Sequence, residues 1–424
     1  MNKVLIITYY WPPGSGAGVQ RWLKFSKYLP SFGWEPVILT VDPECAAYPA
    51  LDNSLEAEIS SDLKIYKTRA TDYFRIIKKD KAKIPSAGFA SNDDKGLEGK
   101  ILRFIRGNLF IPDPRKGWNK YAFRKACEII EKEGIKHIIT TSPPHSTQLI
   151  GSGLKRKYPE IIWIVDLRDP WTDIYYYNQF YPTLISKAID RYFEKQILIS
   201  SDRIITVGKA LKDLFSAKIP GIENKIDVIT NGFDEDDFKG LNATNPDKFT
   251  ISYIGTLSDA YPINGFLDAL NGFYEKGNNF NLKFVGTVSP KQKELILSKI
   301  EKPLVEFIPY VDHAVAIKYM LDTSVLLMII PDHKSNKSII TGKIFEYIAA
   351  GKPIICLGPE DGDAAEIINQ TGLGKTLNYI DNSGIYNFVK TLVVNKIKSK
   401  ETMASGFSRK NLTSKIASIL RNIN

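Results

Sequence analysis

Short runs of branched aliphatic residues recur along this chain, and each is followed by a loop and a stretch with helical spacing. The first run is Lys3-Val-Leu-Ile-Ile-Thr8. A glycine-rich loop follows, Pro12-Pro-Gly-Ser-Gly-Ala-Gly18. Val19, Trp22, Leu23, Phe25, Ser26 and Leu29 then lie near a helical repeat. Gly33-Trp34 ends that helix and Pro36–Val41 is a second apolar run. A strand, a loop, a helix and a strand in this order open a doubly wound parallel sheet, because a parallel connection needs a crossover helix.

The alternation continues. Strands are expected at His137–Ser142, Ile161–Asp166, Arg203–Val207 and Ile226–Thr230, with helices at Tyr121–Lys132, within Pro144–Tyr158 and at Leu184–Ser200. Residues 80–100 are polar and read as a surface loop, and Ile101–Ile111 mixes apolar and basic residues in a helix-like period. Polar residues 235–248 resemble a linker. A second series starts at Phe249–Ile254 and runs through Leu282–Val285, Val305–Ile308, Val325–Ile330 and Pro353–Leu357. Two α/β domains facing a cleft are the simplest architecture for 424 residues.

Composition removes several classes. The chain is 43% hydrophobic and 25% charged, the balance of a folded globular protein rather than a disordered one. Its 3 cysteines, Cys45, Cys127 and Cys356, form no CxxC pair, and the 4 histidines show no metal-ligand spacing. A reducing, cytoplasmic compartment is the expectation. No apolar stretch reaches the ~20 residues of a membrane span, and the apolar run at the N-terminus is too short for a signal peptide.

The net charge of +10 is concentrated. Lys64–Lys125 holds 17 Lys and Arg against 6 Asp and Glu. No nucleic-acid-binding pattern accompanies this charge. An anionic membrane surface fits Ile101–Ile111 better, since apolar residues alternate there with Arg103 and Arg106. The plain alternative is a solvated basic face.

Four segments are placed to do chemistry. Thr341-Gly342 can open a helix whose free backbone N–H groups favour an anion. Lys337 and Lys343 add charge suited to a diphosphate, and Glu346, one turn in, can accept hydrogen bonds from ribose hydroxyls. An ordinary capped helix with a solvated glutamate is the competing explanation. Gly14, Gly16 and Gly18 follow the first strand, but GxGxG is not the dinucleotide fingerprint, and a tight turn accounts for it equally. Asp166, Arg168 and Asp169 follow a buried strand at the carboxyl edge where such sheets bind ligands. A carboxylate there can take a hydroxyl proton or stabilise positive charge on a sugar ring. The alternative is a structural Asp–Arg pair holding the Pro170-Trp171 loop. His145 ends another strand and either binds a ligand or organises its loop. Asp361-Gly-Asp363 either caps the helix that follows it, the favoured reading, or lines the donor cleft.

The run Gly342-Lys-x-x-Glu-Tyr-x-Ala-Ala-Gly-Lys-Pro353 resembles the donor-binding helix of retaining glycosyltransferases of family 4, which have the GT-B fold. Further matches in order are Tyr9–Arg21, Thr141–Ser146, Val165–Trp171, Thr230–Asp234 and Phe407–Thr413. The resemblance implies two Rossmann-like domains, residues 1–234 on the acceptor side and 235–405 on the nucleotide-sugar side. Residues 406–424 would form a helix returning to the first domain. It implies donor contacts from Gly16, Gly18, Arg21, Gly255, Thr256, Lys337, Ser338, Thr341, Gly342, Lys343 and Glu346, and catalytic roles for His145, Asp166, Arg168 and Asp169. No metal or cofactor is implied beyond the nucleotide-sugar co-substrate.

This chain departs from the family at three places. Ser338 stands where many relatives have the first of two glutamates. Gly255-Thr256 and Asn264-Gly265 stand where an Arg and a Lys often grip the diphosphate. Asp166-Leu-Arg168-Asp169 replaces a frequent histidine. The resemblance nevertheless implies transfer of a sugar, with retention, from a nucleotide-diphosphate sugar to a glycan, lipid-linked or free, in surface polysaccharide synthesis. A nucleotide-sugar epimerase of the same fold and a non-catalytic sugar-nucleotide or lipid-binding partner of an assembly complex are the other readings.

Overall fold

The computed structural model describes residues 1–73, 96–244, 246–394 and 404–423. Most of the 80–100 segment, read above as a surface loop, lies outside them. Its end does not follow the expectation: residues from 97 onward are already helical, in Leu97–Leu109. The chain divides into two compact units, Met1–Thr230 with Leu412–Asn424, and Asn231–Asn411.

In the first unit the strands are β1 (Asn2–Ile7), β2 (Trp34–Val41), β3 (Lys64–Thr68), β4 (His137–Ser142), β5 (Ile162–Leu167), β6 (Arg203–Thr206) and β7 (Ile226–Val228). They pair in parallel in the order β3-β2-β1-β4-β5-β6-β7. Successive side chains of β1 serve opposite faces: Leu5 and Ile7 enter one core, Val4 and Ile6 the other. Burial on both faces explains why these strands read as unbroken apolar runs. β3 was not expected, because Lys64 and Lys67 break up its apolar pattern. It is an edge strand, where such charge is tolerated. Leu412, Ile416, Ala417 and Leu420 of the helix Arg409–Asn422 complete the core that holds Val4, Ile6 and Trp22.

In the second unit the strands are β8 (Thr250–Ile254), β9 (Asn281–Val285), β10 (Val305–Ile308), β11 (Val325–Ile329), β12 (Ile354–Leu357) and β13 (Gly374–Leu377). Their order is β10-β9-β8-β11-β12-β13, again parallel. In both sheets the order reverses beside the first strand, at β1/β4 and at β8/β11. The carboxyl ends of the strands at such a reversal leave a crevice for a ligand.

Candidate functional site

The second unit presents a cation, a carboxylate and a glycine at its reversal point. β8 is followed by Gly255, whose φ of 118° is a conformation that side chains disfavour. The helix Lys343–Ala349 follows β11. Its Tyr347 is buried, accepts a hydrogen bond from the Ile254 backbone N–H (3.1 Å) and fixes the helix against the end of β8. This brings the Lys343 ammonium over the Tyr253 ring, 4.4 Å from its centroid, where Nζ donates to the Tyr253 hydroxyl at 3.1 Å. Burial pulls Lys343 down to about 8, against the opposing pull of Glu346. Glu346 lies one turn on, half-buried, with Oε1 3.0 Å from His313 Nε2. Sequence reasoning missed His313, which is 33 positions away on another helix and belongs to no motif.

Other expected donor residues are held differently. Lys337 is exposed and paired with Asp361 at 2.6 Å. Ser338 Oγ donates to the Ser335 carbonyl at 3.0 Å, and Thr341 Oγ1 to Met328 Sδ at 3.4 Å. Gly342 is the residue preceding the helix, and Thr256 is exposed beside Gly255. The expected capping by Asp361-Gly-Asp363 does not occur. The N-cap of Asp363–Thr371 is Gly362, without a side-chain hydrogen bond, because Asp361 turns to Lys337.

The first unit holds a second polar cluster, and here two expectations are corrected. Arg21, offered as a donor-phosphate contact, is fully buried. Its Nε and Nη2 donate to Asp166 at 3.2 and 3.0 Å, and Nη1 and Nη2 donate to the Thr230 and Ile229 carbonyls, both at 2.9 Å. Asp166, offered as a catalytic carboxylate, also accepts from Trp22 Nε1 (2.8 Å) and Thr141 Oγ1 (2.7 Å). Every direction of approach to this carboxylate is occupied by the protein, so the pair ties the first helix to β4, β5 and the end of the first unit.

Arg168 and Asp169 sit just beyond it. Arg168 Nε donates to the Ser142 carbonyl at 2.9 Å, and its guanidinium fills the space over Gly18, where a Cβ would lie 2.9 Å from Nη1. Asp169 is half-buried and has no side-chain hydrogen bond among the described residues. Burial raises its pKa, opposed by Arg168. Gly16, with φ 101°, is the N-cap of the first helix.

His145 stacks on Trp171, with ring centroids 4.7 Å apart and planes at 15°. Burial, with Arg168, Lys218 and Arg106 nearby, pushes it down to about 3, so the ring is neutral at ordinary pH. Its Nδ1 has no hydrogen-bond partner among the described residues. Asp113 holds the start of the helix Ser146–Lys157, accepting from the Ser146 N–H (2.8 Å) and hydroxyl (2.9 Å), and thereby places His145. No spacing in the sequence pointed to Asp113. Among the described residues no three His, Cys, Asp or Glu side chains are grouped to hold a metal ion.

No family model and no curated protein matches this sequence. Solved structures match it along its whole length. A glycosyltransferase from Rickettsia africae has a TM-score of 0.62 at 15% identity, covering 100% of this chain and 98% of that one. Anabaena HepE in complex with UDP and glucose has 0.58 at 12% identity, covering 100% of both. A Listeria monocytogenes protein described as a UDP-N-acetylglucosamine 2-epimerase has 0.57 at 12% identity, covering 99% of this chain and 95% of that one. The fold is therefore GT-B, α/β with two parallel sheets.

Proposed function

We propose that the chain is a retaining glycosyltransferase of the family 4 type that takes a nucleotide-diphosphate sugar as donor and a lipid-linked glycan as acceptor, in surface polysaccharide synthesis on the cytoplasmic side of the membrane. The observation that carries this reading is the Gly255–Lys343–Glu346 group. A cation lies over a bare backbone at the sheet's reversal point, and a carboxylate follows one turn along, about 5 Å of helix rise away. That is the order of charges a nucleoside diphosphate asks for: Lys343 for phosphate oxygens, Glu346 for ribose hydroxyls. HepE, of the same fold, was solved with UDP, which supports the same class of donor.

In this reading the first unit binds the acceptor through Arg168, Asp169 and His145. The bond from the anomeric carbon to the diphosphate oxygen breaks, its electron pair leaving with the phosphate. The acceptor oxygen forms the new bond on the same face, and its proton passes to the departing diphosphate. Asp169 accepts a hydrogen bond from the acceptor hydroxyl and orients it, and Lys343 offsets the charge that grows on the leaving group.

The test is a thermal-shift screen of UDP, GDP, dTDP, CMP and their sugars, repeated with Glu346→Gln and Lys343→Ala. A ligand at 100 times its dissociation constant adds about 2.7 kcal/mol of stability. A selective shift with one diphosphate, diminished in both variants, is expected. No shift with any nucleotide in a folded sample would overturn the donor site.

The likeness to the Listeria epimerase supports a second reading, in which the sugar nucleotide is epimerised without an acceptor. Incubating the selected sugar nucleotide alone separates the two: an epimerase changes the sugar and keeps the diphosphate bond.

A further inference from the structure

Lys343 and Glu346 are opposite charges three residues apart on one helix, a spacing at which such side chains can pair. Among the described residues no ion pair joins them. Lys343 Nζ is drawn to the Tyr253 hydroxyl of β8, 3.1 Å away, and Glu346 Oε1 lies 3.0 Å from His313 Nε2. Each charge therefore has its own holder, and the two holders stand on different elements.

His313 opens the helix His313–Leu321, which follows β10. Ile317, Met320 and Leu321 of that helix are buried in the same core as Ile344, Tyr347 and Ile348 of the Lys343–Ala349 helix. The shared core brings His313 to Glu346 across 33 positions of sequence. Glu346 lies between Phe345 and Tyr347, both fully buried, which fix the helix around it. An ionised carboxylate only accepts hydrogen bonds, so His313 Nε2 carries the hydrogen and donates it. That bond engages Oε1 and leaves Oε2 without a hydrogen bond among the described residues. Both side chains keep exposed surface, so a ligand can reach the carboxylate.

We propose that His313 is a positioning residue that holds the Glu346 carboxylate toward a ribose, and that the site therefore selects ribonucleoside over 2′-deoxyribonucleoside diphosphates. The inference rests on the donor-site reading given above and narrows its substrate class. Without His313 the carboxylate is free to turn to Lys343, and the cation for phosphate and the acceptor for ribose then neutralise each other. With His313 in place one carboxylate oxygen is held and the other is offered in a fixed direction, so little freedom is lost when hydroxyls bind. A ribose brings two neighbouring hydroxyls to that carboxylate and a 2′-deoxyribose brings one. Hydrogen bonds to an ionised group are the stronger kind, so the missing hydroxyl is felt.

The experiment is calorimetric titration of the full chain with UDP, GDP, ADP and CDP, and with the 2′-deoxy form of each. The wild type should bind at least one ribonucleotide about tenfold more tightly than its deoxy form. His313→Ala should weaken that ribonucleotide about tenfold and the deoxy form by much less, with wild-type melting. His313→Leu keeps bulk without the donor and should behave alike, which keeps the test valid should the smaller variant fail to fold. His313→Gln, which supplies a neutral N–H donor, should restore most of the preference. In a Glu346→Ala background His313→Ala should add no further loss, because the histidine acts through that carboxylate. Equal wild-type affinity for the two forms, or equal weakening of both in His313→Ala and His313→Leu, would overturn the inference and leave the donor site standing. A wild-type chain that binds none of these nucleotides would overturn the donor-site reading itself, and this inference with it.

Discussion

Lys343 occupies the space that a side chain on Gly255 would need: a Cβ built there would lie 2.5 Å from its Nζ. Gly18 and Arg168 repeat the arrangement in the first unit, at 2.9 Å from Nη1. In each unit a cation near the sheet's carboxyl edge rests against backbone that carries no side chain.

Gly255→Ala adds a steric clash to a backbone at φ 118°, so it is expected to cost about 1–3 kcal/mol of stability and to displace Lys343. Gly18→Ala meets only the end of a long side chain, and its cost should be smaller. Thermal denaturation and nucleotide titration of both variants check this. A Gly255→Ala protein with wild-type melting and affinity would sink the argument.

Lys343 predicts a pH dependence in two senses. Its pKa falls from 10.5 unfolded to about 8 folded, so the unfolded chain binds more protons between those values. Stability from this residue therefore rises with pH across that window, and Lys343→Met should abolish the rise. Diphosphate binding needs the charged form, so affinity should fall as pH passes about 8, with proton uptake on binding above it. Calorimetry in buffers of different ionisation enthalpy reads that uptake.

Asp166→Asn should behave as a folding defect. It leaves Arg21 buried without its counter-charge, a change that typically costs about 3–5 kcal/mol. Urea denaturation measures it. A variant of wild-type stability that has lost only turnover would return Asp166 to the reaction.

Asp169→Asn should do the reverse, since no hydrogen bond of the carboxylate is lost among the described residues. Stability should stay level or rise, while turnover falls about a hundredfold if the carboxylate orients the acceptor. Its pKa, raised by burial, shifts the acid limb of the wild-type rate profile upward from where an exposed aspartate would put it. Steady-state rates against pH, with melting curves alongside, decide the matter.

Most of both sheets was legible because their strands are buried on two faces and read as plain aliphatic runs. The exceptions are edge strands. β3 has Lys64 and Lys67 among its five residues, and β13 is only Gly374–Leu377. The Lys343–Glu346 helix was legible because its charges are neighbours in sequence. The Arg21–Asp166 pair was not. Its partners are 145 positions apart, and a conspicuous Asp at a strand end looks the same in sequence whether it faces a ligand or an arginine. His313 and Asp113 were invisible for the same reason: each acts across the fold on a residue to which no local pattern ties it.

The helix that closes the first unit's core with Leu412, Ile416 and Leu420 also sets an order of events during translation. The strands of the first unit emerge early, yet the face lined by Val4, Ile6 and Trp22 stays uncovered until the ribosome has read past residue 420 and released it from the exit tunnel. The second unit, Asn231–Asn411, has all its segments available sooner. The part of the protein made first is thus finished last, and a nascent chain stalled near residue 411 should present a foldable second unit beside a first unit that chaperones still recognise.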